Sequence, residues 1–191
     1  MRIDFVALGE QTIPQVPGLR CVPLAAQHGG ALYRRRLEAL ASSTADWLCF
    51  VDGGEDALPP NFVPGMEALA ARASDAGVPI AYAAETIHGK PGGTGEFTLQ
   101  AFLRSHTLVH HGVVCSTEAL RAIPWPRGCY AWEVIAYGTL APRGYVYDPE
   151  PRYDWRPGPG GARLWPSYRR SVINAKRWLQ GLPVMACKGD A

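Results

Sequence analysis

The residues best suited to chemistry sit at the end of one short apolar run. Trp47-Leu48-Cys49-Phe50-Val51 stops at Asp52, two glycines follow, then Glu55 and Asp56, then Pro59-Pro60. Three carboxylates therefore fall within five residues. The run is short and rich in aromatic and β-branched side chains, which predicts a strand buried on both faces. In open α/β sheets, ligands bind at the carboxyl ends of the strands. Clustered carboxylates there suit a hard divalent cation, which takes oxygen ligands and bridges to phosphates. Asp and Gly are also ordinary turn residues, so the same string describes a surface turn.

Other reactive side chains are more scattered. Arg34, Arg35 and Arg36 are adjacent on an expected helix and point in three directions. A solvated face accounts for them, and so does one arginine turned toward an anionic ligand, since its fork matches phosphate oxygens. His106, His110 and His111 lie in or beside TLVHHGVVC, whose β-branched content predicts a strand over Thr107 to Cys115. Adjacent strand residues point to opposite faces. At most one of His110 and His111 then faces a site, and a packed or exposed histidine is the plainer reading of each. Glu133 is the single charge in CYAWEVIAYGTL, so it is either an exposed helix residue or a placed functional group. Pro149 to Gly161 is aromatic, basic and irregular, either a loop that closes over a ligand or an ordered coil packing Tyr153 and Trp155.

These residues need elements to hold them. Strands are expected over Arg2 to Leu8, Leu19 to Leu24, Trp47 to Val51, Val78 to Ala84 and Gly144 to Tyr147. Helices are expected over Ala31 to Ser42, from Pro60-Asn61 to about Ala76, after the Ser116-Thr117-Glu118 cap to Ile123, and over Pro166 to Leu179. Gln100 to His106 reads as a short helix or strand. Thr86 to Gly95 is polar and Gly-rich and reads as a mobile loop; it lacks the order of a P-loop. Strands alternating with helices predict a mostly parallel α/β sheet.

The 191 residues suggest one domain with room for a core. Hydrophobic residues make up 47% and charged residues 19%, a globular rather than a disordered composition. A net charge of +2 is too small to argue for a nucleic-acid partner. Cys21, Cys49, Cys115, Cys129 and Cys187 include no CxxC pair, so neither a disulfide framework nor a cysteine zinc site is indicated, and a reducing, cytoplasmic setting is expected. The N-terminus has no visible signal peptide, and no apolar run is long enough for a membrane span.

The order of pieces resembles glycosyltransferases of the GT-A fold, family 2 above all. GALYRRRLEALASS followed by DWLCFVDGGEDALPPNFV is similar to that family's arginine-bearing helix, its strand ending in a D-x-D motif and its Leu-x-Pro turn. GVVCSTEALRAI resembles the strand and short helix before the acceptor site. Trp132-Glu133, then Tyr137-Gly138, Gly144 to Tyr147 and Tyr153-Asp154-Trp155-Arg156, resemble the late acidic motif, the Gly-aromatic strand and the closing loop. The resemblance implies a single GT-A-like domain over residues 1–165, a C-terminal helix and tail over residues 166–191, and a hexosyltransferase-like enzyme. It implies that Asp52 with Glu55 or Asp56 holds Mn²⁺ or Mg²⁺ against the diphosphate of a nucleotide-sugar donor. It further implies Arg36 near phosphate, Glu133 as the base on an acceptor hydroxyl with inversion, and Arg156 on the diphosphate. A catalytically inactive GT-A-like binding or assembly module is the alternative. The sequence departs from the family in three places: the acidic end of a second nucleotide-binding strand is missing, the metal motif reads D-G-G-E-D, and the late motif is Trp-Glu.

Overall fold

The computed structural model describes residues 1–11, 19–22, 29–54, 58–126, 129–156 and 166–185. The chain runs β1 (Ile3–Gln11), β2 (Leu19–Val22), α1 (Gly29–Ser42), β3 (Trp47–Gly54), α2 (Phe62–Asp75), β4 (Ile80–Ile87), β5 (Lys90–Pro91), α3 (Leu99–Arg104), β6 (Val113–Ser116), α4 (Thr117–Arg121), α5 (Trp132–Leu140), β7 (Val146–Trp155) and α6 (Pro166–Leu179). One seven-stranded sheet takes the order β2-β1-β3-β6-β4-β5, with β7 also on β4. The sheet is mixed. β1 pairs in parallel with β2 and β3, and β4 with β7, whereas β6 is antiparallel to both β3 and β4. Because β6 reverses between them, β3 and β4 run the same way, and their carboxyl ends share one edge.

Strand period explains the two cores. Leu48 packs on one face of the sheet with Val6, Tyr82, Phe102, Trp132 and Ile135. Its neighbours Trp47, Cys49 and Val51 turn to the other face and pack with Phe5, Phe62, Met66 and Leu69 of α2. Residues 47–51 of β3 are thus apolar on both faces, as a strand covered on both sides requires. Helices α1, α4, α5 and α6 touch one another in series along the first face. Full burial of side chains such as Phe102 and Leu69 is worth about 1.5–3 kcal/mol each. Ser116 caps α4 through its hydroxyl, which accepts from Ala119 N at 3.3 Å, as the sequence led one to expect.

Three expectations change. The strand read over Thr107 to Cys115 is a 3-10 turn at His106–Leu108, a bend, and then β6. Gly112 sets that break, with φ +60, a conformation costly for other residues. The first part of the mobile loop read over Thr86 to Gly95 is a hairpin, with Thr86 opposite Pro91. Ile87 pairs with Lys90 across a two-residue turn in which both His88 (φ 50) and Gly89 (φ 75) have positive φ, as hairpin turns of type I′ do. The start of the irregular stretch read from Pro149 is strand: β7 runs through Trp155 beside β4. Its two prolines coincide with register shifts around Ala84, where a missing N–H costs the ladder least.

Candidate active site

Two charged clusters stand along the carboxyl edge of the sheet, both built from residues that α/β topology brings there. The first joins α1 to α5. Arg36 is buried, and its guanidinium lies 3.3 Å from Glu133 Oε2 and 5.6 Å above the Phe50 ring of β3. Glu133 falls in the first turn of α5, where a carboxylate is favoured by the helix dipole. The Tyr168 hydroxyl of α6 donates to Glu133 Oε1 at 3.2 Å. Both carboxylate oxygens therefore hold a partner. An aromatic wall backs the pair: Phe50 meets Trp132 edge to face at 5.1 Å, and Trp132 stacks on Trp125 at 4.2 Å.

The second cluster joins β4 to the bend before β6. Glu85, His110 and His111 are all buried. Both imidazoles turn Nδ1 toward one oxygen, Glu85 Oε2, at 2.9 Å from His111 and 3.6 Å from His110. The bend at Gly112 makes this possible, since on a regular strand the two rings would face opposite ways. Tyr153 stacks on His111 at 4.8 Å, and Trp155 meets His110 edge to face at 4.8 Å. Burial alone would push the Glu85 carboxyl up, but the two imidazoles outweigh it and hold it down at about 2. Burial pushes His110 down to about 4, helped by His111 and opposed by the carboxylates of Glu85 and Glu133. At neutral pH the cluster therefore holds an ionised carboxylate beside a neutral His110. Two polar atoms in it, Glu85 Oε1 and His110 Nδ1, are buried without a hydrogen bond. Such an unmade bond costs about 1–3 kcal/mol.

The acidic end of β3 belongs to the same edge. Cys49 and Ala81 both pair with Val114, so they stand at one height. Asp52 lies three residues on from Cys49 and Glu85 four on from Ala81, one residue apart in height with only β6 between their strands. The backbone of Asp52 pairs with Leu8, whereas its side chain, and the whole of Glu55 and Asp56, lie outside the described residues. Arg156 stands just past β7 and its Nε donates to Asp154 Oδ2 at 2.8 Å. Asp154 in turn accepts from Thr86 Oγ1 and Gly89 N, so this pair braces the β4–β5 hairpin. Arg36 and Glu133, far apart in sequence, are brought together; the described contacts tie Arg156 to the hairpin instead.

Sequence reasoning missed Glu85 and Tyr168, and it allowed a site at most one of His110 and His111 where the structure uses both. The available signal was the His-His-Gly string, since glycine after two histidines marks a bend that frees them from strand alternation. Glu85 carried a weaker one, a carboxylate directly after the apolar IAYAA of a buried strand.

No protein-family model matches the sequence, and no curated protein matches it. Solved structures do match in fold. Glucosyl-3-phosphoglycerate synthase from Mycobacterium tuberculosis, in complex with Mn²⁺, UDP-glucose and phosphoglyceric acid, aligns over 95% of this chain and 80% of its own, at 16% identity and a TM-score of 0.57. A mycobacterial protein aligns over 95% and 75%, at 18% identity and a TM-score of 0.59. S. aureus TarS 1-349 in complex with UDP aligns over 85% of this chain and 48% of its own, at 16% identity and a TM-score of 0.56. With its mixed sheet, flanking helices and charged carboxyl edge, this chain carries the GT-A glycosyltransferase fold.

Proposed function

We propose that this chain is a glycosyltransferase, hexosyltransferase-like, that moves a sugar from a nucleotide-sugar donor to an acceptor hydroxyl at the carboxyl edge of its sheet. The observation that carries the reading is the placement of Glu133 on this fold. It is a part-buried carboxylate at the start of α5, oriented by Arg36 on one oxygen and Tyr168 on the other. The UDP and UDP-glucose bound to proteins of the same fold support the donor class.

In this reading Glu133 takes the proton of the acceptor hydroxyl as that oxygen attacks the sugar carbon, which gives inversion. Arg36 fixes the carboxylate and adds positive charge beside the end of β3. The Trp132 and Trp125 wall excludes water from that side. Asp52 with Glu55 or Asp56 is an oxygen-only donor set, which suits Mn²⁺ or Mg²⁺, an ion that would offset the charge of the departing nucleoside diphosphate. Arg156 is the proposed diphosphate contact from the β7 side. The domain over residues 1–165, the appended helix and tail over 166–191 and a cytoplasmic setting belong to the same proposal. The free, buried Cys49 and Cys115 support a reducing compartment.

One observation favours the alternative, an inactive GT-A-like binding or assembly module: both oxygens of Glu133 are held by partners. Thermal melting with UDP or GDP, with and without Mn²⁺, tests donor binding. Stabilisation that needs both nucleotide and metal is the expected result, and its absence for every nucleoside diphosphate tried contradicts the enzyme. Asp52→Asn then separates the readings, since an enzyme loses most of its rate and a binding module keeps its activity.

A further inference from the structure

We propose that Glu85, His110 and His111 form a binding site for one borderline divalent metal ion, Zn²⁺ in preference to Mg²⁺. The three side chains converge. One ligand atom from each residue falls within 4.8 Å of the other two. In a tetrahedral site with ligands about 2.1 Å from the ion, neighbouring ligand atoms are roughly 3.4 Å apart. The Glu85 Oε2 distances of 2.9 Å to His111 Nδ1 and 3.6 Å to His110 Nδ1 bracket that value.

Charge gives the second reason. Glu85 is a carboxylate buried inside the protein, and the two imidazoles are its ion partners among the described residues. A buried carboxylate needs a compensating charge. An ion at the focus of the three side chains supplies it and uses the lone pair of His110 Nδ1, which has no hydrogen bond. Chemistry gives the third. Two imidazoles and one carboxylate prefer zinc-like ions, whereas Mg²⁺ prefers oxygen and water. Three protein ligands also leave the fourth position open, as in zinc sites that hold a water or a substrate oxygen. Tyr153 and Trp155 lock the two rings from outside, so the ligands are preorganised.

This inference is independent of the glycosyltransferase reading, and its test uses no nucleotide. The intact protein, stripped with chelator, is titrated with Co²⁺ as a spectroscopic probe and then dialysed against Zn²⁺ in the presence of millimolar Mg²⁺. The proposal expects one tightly held ion per chain, a visible Co²⁺ spectrum of a nitrogen-containing site of low coordination number, and displacement by Zn²⁺ but not by Mg²⁺. Glu85→Gln and His110→Ala should each weaken the affinity at least tenfold. X-ray absorption of the zinc-loaded wild type should show two imidazoles in the first shell, a readout that survives if a variant fails to fold. No stoichiometric ion, no imidazole scattering, or a Co²⁺ spectrum unchanged in folded Glu85→Gln would overturn it.

Discussion

The two charged clusters at the sheet edge resolve the same problem in different ways. Arg36 and Glu133 neutralise each other, and Tyr168 completes the carboxylate. Glu85 is more deeply buried, yet it faces two imidazoles and keeps one oxygen without a hydrogen bond. The first cluster is electrostatically closed and ties α1, α5 and α6 together. The second is open and has its rings clamped by Tyr153 and Trp155. A closed pair suits positioning. An open set of converging donors suits binding, because a ligand can satisfy groups the fold leaves unmatched.

The largest effect is expected at Glu133. Glu133→Gln should lower sugar transfer by about 10²–10⁴-fold if it is the base, measured as product formed under saturating donor; an unchanged rate would assign Glu133 to structure alone. Next comes Arg36→Met, which leaves the part-buried Glu133 carboxylate without its cation and should cost up to about 3–5 kcal/mol in denaturant unfolding. Adding Glu133→Leu should recover much of that loss. No recovery would mean that the pair is not the interaction being broken.

A third prediction concerns pH and sharpens the contrast from the other side. His110 binds its proton in the folded state only near pH 4, against an ordinary value of 6.5, so the unfolded chain takes up that proton first. Stability should therefore fall as pH drops from 6.5 toward 4. Glu85, held at about 2 against an ordinary 4.5, extends the loss below pH 4.5. His110→Asn should flatten the upper part of the curve, and an unchanged slope between pH 6.5 and 4 would contradict the buried neutral ring. The smallest effect is expected for Glu85→Gln in metal-free protein at neutral pH. It removes a buried charge while keeping an acceptor for His111, so melting should shift by no more than about 1–2 kcal/mol. A loss as large as that of Arg36→Met would show that the second cluster is as closed as the first.

Much of the scaffold was legible in the sequence. Apolar period placed β3 and α2, the Ser116 cap placed α4, and α6 falls on the expected Pro166–Leu179. The acidic strand end and Glu133 were also legible as candidates, because carboxylates interrupting apolar segments stand out. What escaped notice depended on backbone geometry that composition does not encode. β-branched residues around His110 and His111 spoke for a strand, and the positive φ of Gly112 overrode them. Pro149 and Pro151 argued against β7, yet local register shifts accommodate both beside β4. The partnership of Arg36 with Glu133 joins residues that no local pattern links.

The proposed function requires the carboxyl edge of this GT-A fold to bind a nucleoside diphosphate together with a divalent metal. Isothermal titration of the purified chain with UDP and with GDP, in Mn²⁺ and then in excess chelator, tests it most directly. Saturable one-to-one binding of one nucleotide is expected in Mn²⁺, disappearing with chelator and lost in Asp52→Asn. Absence of binding for both nucleotides in Mn²⁺, in protein shown to be folded, would contradict it.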